Sequence, residues 1–400
     1  MRNQSLIKVF LYITLAMLFV SEINAQNDYL SYFDASYSDC RNEFKAYAKT
    51  MAGEFQKVEY SSINVPGKTD NELYVDLLYI PAQQSQEKLL ILSSGTHGIE
   101  GFVGSAMQEM FVSQFLTEDL LKNTGVLLIH GLNPYGFKYF RRVTENNIDL
   151  NRNSDISSDL YDNDNSGYAE LYDFLNPQKA VKYGSMGNRF FAVKAIKKIV
   201  QASLPVLRQA VLQGQYEFQE GLYFGGSKVE PQIAALGPII QDYAKDYEVI
   251  MNIDLHTGYG ERGKLHFFPN PVKDPVLRQK TEKLFEGYQI DWGDSGDFYT
   301  ITGDFSGFIG KLLPGKTHIA MTFEYGTMDS QKTMGSIRSI KNMILENQGV
   351  HNGYKKDKDR SKVEKNILEM YYPSDPEWRK GIMVQTEKVF ETLFSRFADL

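Results

Sequence analysis

At 400 residues and 42% apolar content, the chain can bury a large core, and its composition is that of an ordinary globular protein. Its net charge of −7 leaves no basic block to neutralise phosphates, which excludes a general nucleic-acid binder. Cys40 is the single cysteine, so an internal disulfide is excluded as well.

The first segment reads as a targeting signal. Arg2 and Lys8 form a positive region, Val9 to Val20 an apolar one, and Ile23-Asn24-Ala25 a cleavage site. The apolar run is about a dozen residues, short of the roughly 20 that cross a bilayer. Residues 1–25 are therefore expected to be a signal peptide, and 26–400 one catalytic domain. The mature protein is expected to be secreted or periplasmic, without stable membrane insertion. Gln26 rather than a cysteine follows Ala25, which argues against a lipoprotein. The short interval before the first core strands leaves no prosegment, so an enzyme active as secreted is expected.

Helical spacing over 41–55 predicts a helix, and ELYVDLLYI (72–80), stopped by Pro81, a strand. The stretch LLILSSGTHGIEGFVG (89–104) begins as a buried strand, Leu89 to Leu92. It breaks into small residues around His97 and Glu100, then turns helical through Phe102, Ala106, Met107 and Met110. GVLLIH (125–130) predicts another strand, running into the turn Gly131-Leu132-Asn133-Pro134. Residues 141–178 read as a long polar loop. A helical pattern over 189–213 is split by Pro205, and 214–232 reads as a structured loop. EVIMNID (248–254) predicts a strand ending at His256, and HIAMTF (318–323) one ending at Glu324. Helices are predicted at 334–347 and 376–397, with a charged, solvated segment at 351–364. Strands alternating with helices point to one α/β domain.

A catalytic zinc usually keeps three protein ligands and a water. His97 and Glu100, three residues apart on a strand-to-helix turn, supply two candidates. His256, at the end of its own buried strand, is the best-placed third. His318 begins a strand, at the wrong edge of the sheet, and His351 lies in polar sequence. His130 ends a strand, where it has the option of supporting the site.

THGIEG (96–101), NPYGFKYFRRVTENNIDLNRN (133–153), DLHTGYG (254–260) and FEYG (323–326), in this order, resemble the zinc carboxypeptidase superfamily of carboxypeptidase A-type metallopeptidases, and within it a little-characterised bacterial branch. The resemblance implies a single α/β domain: a mixed, mostly parallel central sheet flanked by helices, with the zinc site at the carboxyl ends of the strands. It implies one zinc ion held by His97, Glu100 and His256, and an Asp149 that orients a zinc-bound histidine. Asn151 and Arg152 match the clamp for a substrate's terminal carboxylate, a task that suits a planar guanidinium. Arg142 matches the arginine that polarises the scissile carbonyl, with Arg141 beside it as the other choice. Glu324 matches the general base. Tyr299 is the candidate for a mobile substrate-binding tyrosine.

The implied activity is an exported, zinc-dependent metallopeptidase that cuts an amide bond next to a substrate carboxylate, as a carboxypeptidase does. Two other readings stay open: a zinc amidase or deacylase acting on N-acyl amino acids or cell-wall peptides, and a binding protein that keeps the fold. The expected partner is a peptide or N-acyl amino acid with a free carboxylate. Two motifs point elsewhere. DNDNSGYAELYD (162–173) imitates a calcium loop but has Ala169 in place of a branched apolar eighth residue and lacks the final glutamate, and GDSGD (293–297) lacks the spacing of a serine nucleophile.

Overall fold

The computed structural model describes residues 29–292 and 302–400. The expected signal peptide, Tyr299 and the GDSGD motif lie outside the described residues. In chain order the main elements begin with α1 (Tyr37–Glu54), β1 (Glu59–Asn64), β2 (Tyr74–Ile80), β3 (Lys88–Ser94), α2 (Gly101–Met110) and β4 (Thr124–His130). Next come α3 (Ser166–Leu175), α4 (Phe191–Ala202), α5 (Leu204–Leu212), α6 (Pro231–Ala244), β5 (Val249–Gly258) and β6 (Leu265–Pro269). The chain closes with α7 (Phe305–Leu312), β7 (Thr317–Gly326), α8 (Thr333–Asn352), α9 (Asp357–Tyr371) and α10 (Pro376–Ala398).

The strands form one sheet in the order β1-β2-β4-β3-β5-β7-β6. The four central strands, β4, β3, β5 and β7, run parallel; β1, β2 and β6 are antiparallel at the two edges. β3 and β4 are buried on both faces, which is why they read as unbroken apolar runs. Alternate residues feed two separate cores. Leu90, Leu92, Val126 and Leu128 pack under α2 and α10, while Leu89, Ile91, Leu127 and Ile129 pack under α6 and α7. A third cluster, built by α3, α4, α5, α8 and α9, takes in Ile99 from the turn after β3.

Several elements run further than sequence patterning predicts. α1 begins at Tyr37 because Ser36 caps it, its Oγ accepting the Asp39 N–H at 3.1 Å. β5 continues through His256 to Gly258 and β7 through Glu324 to Gly326, because each keeps its ladder partner to the end. The polar stretch 141–178 holds α3, whose buried residues Tyr168, Leu171 and Leu175 recur at helical spacing. Asn165 of the calcium-like motif caps that helix by accepting the Tyr168 N–H at 2.9 Å. From Ser166 to Asp173 the motif is helical, so a calcium loop does not form there. The predicted break at Pro205 falls between α4 and α5, at Ser203 with φ +66°, and the proline sits in the first turn of α5. Among the described residues no helix is long and apolar enough to cross a membrane.

His130 ends β4 inside the helix layer, against the Phe44 ring at 4.8 Å and the Ser105 hydroxyl at 3.1 Å. It takes no part in the cluster around His97. Burial pushes its pKa down to about 4. In the unfolded chain the same imidazole takes up a proton near pH ~6.5. Its contribution to stability is therefore complete above about pH 6.5 and is lost as the pH falls toward about 4. This one group is expected to cost about 3 kcal/mol over that window. Urea unfolding at near-neutral and mildly acid pH measures the loss, and His130→Leu is expected to flatten it.

Candidate active site

The turn after β3 is built for close approach. Gly95 takes φ +72° at the end of the strand. Gly98 lies against the backbone of the Gly136–Phe137 peptide, where an added Cβ would sit 2.2 Å from the Gly136 carbonyl carbon, so no side chain fits. The N–H groups of Gly98 and Ile99 donate to the carbonyls of Arg142 and Arg141, which stitches this turn to the later arginine segment. β5 presents Asp254 and His256 on one face by its two-residue period, while Ile253 and Leu255 enter the core on the other.

The structure brings His97, Glu100 and His256 together, with one donor atom of each within 4.8 Å of the others. All three are buried. Glu100 Oε1 lies 2.9 Å from His97 Nδ1, and Oε2 lies 2.9 Å from His256 Nδ1 and accepts the Thr257 N–H at 3.0 Å. The two Nδ1 atoms are 3.2 Å apart. Behind each ring stands a carboxylate: His97 Nε2 faces Asp149 Oδ1 at 3.2 Å, and His256 Nε2 faces Asp254 Oδ2 at 2.7 Å. At His256 the Asp254 carboxylate within hydrogen-bond distance favours the proton on Nε2 and leaves Nδ1 free to accept, whereas at His97 the Asp149 carboxylate is an ionic neighbour of Nε2 and not a hydrogen-bond partner. Two ring nitrogens and a carboxylate thus converge on one point, an arrangement that a cation or a proton between them stabilises. Two imidazole nitrogens and a carboxylate oxygen are a zinc donor set.

The surrounding charges agree. Burial alone would raise the Glu100 pKa, but His97 and His256 hold it well below the usual carboxylate range. Burial would lower that of His256, but Asp254 and Glu100 hold it well above the usual value. The pocket thus favours positive charge at the convergence point.

Asp149 is fully buried. Its Oδ2 accepts from Arg142 at 2.7 Å and its Oδ1 from the Asn151 N–H at 3.0 Å. Burial raises its pKa, yet Arg142, His97 and Arg152 together hold it far below the normal range. The adjacent arginines part company: Arg141 turns to Glu346 at 2.7 Å, whereas Arg142 lines the cavity beside the histidine cluster, its guanidinium 5.0 Å from the Tyr223 ring. Arg152 also faces Tyr223, at 5.6 Å, and its N–H groups donate to the carbonyls of Leu212 and Asn151. The Asn151 amide lies 3.4 Å from His256 Nε2 and accepts the Phe305 N–H. Glu324 stands opposite His256 in the β5–β7 register and accepts the Tyr259 N–H at 2.8 Å. Burial first, then the Glu100 charge, push it up to about 8.

His97, Glu100, Arg142, Arg152 and Glu324 line a cavity of about 220 Å³ whose other walls are mostly apolar side chains of α3, α4, α5, α8 and α9, with Lys198, Ser336 and Ser339 among them. Sequence reasoning missed three residues here. Asp254 was legible as the i−2 neighbour of His256 on a strand. Tyr223 and Tyr371 carry no local signal; each reaches the cavity through packing of distant segments.

A family model described as "Protein of unknown function (DUF2817)" matches residues 33–385, and the chain belongs to that family. No curated protein matches the sequence. Among solved structures the chain is similar to bovine thrombin-activatable fibrinolysis inhibitor in complex with tick carboxypeptidase inhibitor, at 16% identity over 83% of this chain and 98% of that one, with a TM-score of 0.42. It is also similar to carboxypeptidase A from Helicoverpa armigera, at 13% identity over 84% of this chain and 73% of that one, with a TM-score of 0.40. A succinylglutamate desuccinylase from a Silicibacter species is similar too, at 13% identity over 74% of this chain and 67% of that one, with a TM-score of 0.35.

Because Asp254 orients His256, Asp254→Asn is expected to weaken zinc binding about 10–100-fold while leaving the fold intact. Competition against a chromophoric chelator reads the affinity, and circular dichroism the fold. His97→Ala, which removes a donor outright, is expected to abolish stoichiometric binding in the same titration.

Proposed function

We propose that this member of the family is an exported zinc hydrolase that cuts an amide bond next to a substrate carboxylate, acting as a carboxypeptidase. The observation that carries the reading is the cluster of His97, Glu100 and His256, of which His97 and Glu100 line one cavity with Glu324, Arg142 and Arg152. The four resembling sequence segments support it, and the apolar, positively charged N-terminal segment supports export.

In this reading His97, Glu100 and His256 hold one zinc ion, which supplies Lewis acidity to the water and the carbonyl. Asp254 orients the His256 ring, and Asp149 stands behind that of His97. Glu324, raised toward neutrality, takes a proton from the attacking water and delivers it to the leaving amine nitrogen as the C–N bond breaks. Arg142, held by Asp149, faces the oxygen on which negative charge develops. Arg152 receives the substrate's carboxylate, exchanging its backbone carbonyl partners for a bidentate pair, and Asn151 stands beside it.

A second reading, a zinc deacylase of N-acyl amino acids, is favoured by one observation. α4 and α5 wall the cavity, and a walled cavity suits a single acylated amino acid better than the end of a long chain.

Mass spectrometry of a mixed peptide and N-acyl amino acid pool separates the two. Free C-terminal residues are expected in the active sample and none with a zinc chelator; acids released from the acyl amino acids move the assignment to the deacylase. Glu324→Gln is expected to lower kcat about 10²–10⁴-fold with zinc content unchanged. Product that persists despite chelation and Glu324→Gln, or a zinc-loaded protein that turns over no amide, overturns the hydrolase reading.

A further inference from the structure

α4 is apolar on two sides. Its inner side sets Phe191 and Ala195 in the third core cluster, and Ala195 and Ile199 line the cavity. Its outer side exposes Val193 at 63%, Ile196 at 44% and Val200 at 81%, continued by Phe190 at 51% just before the helix. At three- and four-residue spacing these side chains form one stripe along the helix axis. Single exposed apolar residues are ordinary, but a stripe on one helix is a contact surface in want of a partner.

The charge around the stripe identifies that partner. From Phe174 to Gln201 the chain has no Asp or Glu, while Lys179, Lys182, Arg189, Lys194, Lys197 and Lys198 all fall within it. This local excess stands out in a protein whose net charge is −7. Lys197 lies within the stripe and Lys194 borders it, both exposed and, among the described residues, without an ion pair. A second copy of the chain placed face to face on this helix would set lysines against lysines. An apolar stripe rimmed by lysines, on a stretch of chain that carries no Asp or Glu of its own, is the pattern of a helix that lies in a membrane interface and is drawn to anionic lipid.

We propose that α4 docks the protein on an anionic phospholipid surface, with Phe190, Val193, Ile196 and Val200 entering the interface and Lys194 and Lys197 meeting the headgroups. Docking is peripheral and spans nothing. Because the inner side of the same helix walls the cavity, docking sets that wall against the lipid, so an apolar substrate partitioned there lies next to the site.

Co-sedimentation with phosphatidylcholine vesicles, with and without phosphatidylglycerol, tests this. The protein is expected to bind the anionic vesicles, to release as salt rises, and to ignore phosphatidylcholine alone. Each of Lys194→Glu and Lys197→Glu is expected to weaken binding at least about fivefold, the effect of one basic side chain at such a surface. Val193→Glu with Val200→Glu is expected to abolish it. These side chains face solvent, so circular dichroism of the variants should match the parent, and all share the parent's N-terminus, so any difference reads α4. No binding to anionic vesicles, or equal binding by the variants, overturns the proposal. So does a dimer, seen by sedimentation equilibrium, that Val200→Glu dissociates. Glu324→Gln is expected to bind as the parent does, which keeps the outcome independent of whether the site hydrolyses amides.

Discussion

Two imidazole Nδ1 atoms face each other 3.2 Å apart, buried, with a glutamate 2.9 Å from each. Much of the surrounding architecture answers that constraint. Buried polar atoms of like character are costly unless something of opposite charge joins them. The protein does not relieve the conflict by letting the rings turn. A carboxylate stands behind each ring, Asp254 within hydrogen-bond distance of His256 Nε2 and Asp149 at 3.2 Å from His97 Nε2. Each of these carboxylates is itself satisfied, Asp149 by Arg142 and Asp254 by the hydroxyls of Ser93 and Thr96. The three side chains together form a possible metal site.

The sheet makes this affordable. The central strands are parallel and end together, so their carboxyl-terminal loops gather at one edge where polar groups need not displace core. β3 delivers His97 and Glu100 on its outgoing turn. β5 and β7 stay paired to their ends at Gly258 and Gly326, and their register sets Glu324 beside His256. Rigid ladders fix that spacing better than loops do.

Above the strand ends, a second layer of helices decides what the site sees. The α3–α5 region, α8 and α9 come from distant parts of the chain, yet they share one apolar cluster that takes in Ile99 of the turn between His97 and Glu100. Arg152 is bonded to the carbonyl of Leu212, the last residue of α5, so the cavity wall and the cationic pocket are tied directly. Through α4, the same wall is also the protein's apolar, basic outer face.

The α/β class, the core strands and the candidate ligands are legible in the chain alone, because each rests on a local pattern. Unbroken apolar runs mark strands buried on both faces, and a histidine and a glutamate three apart on a glycine-rich turn mark a ligand loop. The break at Pro205 is legible in the same way, since proline's effect on a helix is local. α3 was hidden because its three buried residues are diluted by Asn, Asp and Ser that serve as caps and turns. Only the tertiary structure separated Arg141 from Arg142, since adjacent residues point apart and their partners, Glu346 and Asp149, are set by packing. It alone brought Tyr223 and Tyr371 to the cavity and gave α4 two apolar sides with different surroundings. The reason is physical: which neighbour a side chain meets depends on segments far away in sequence, and no local periodicity encodes that.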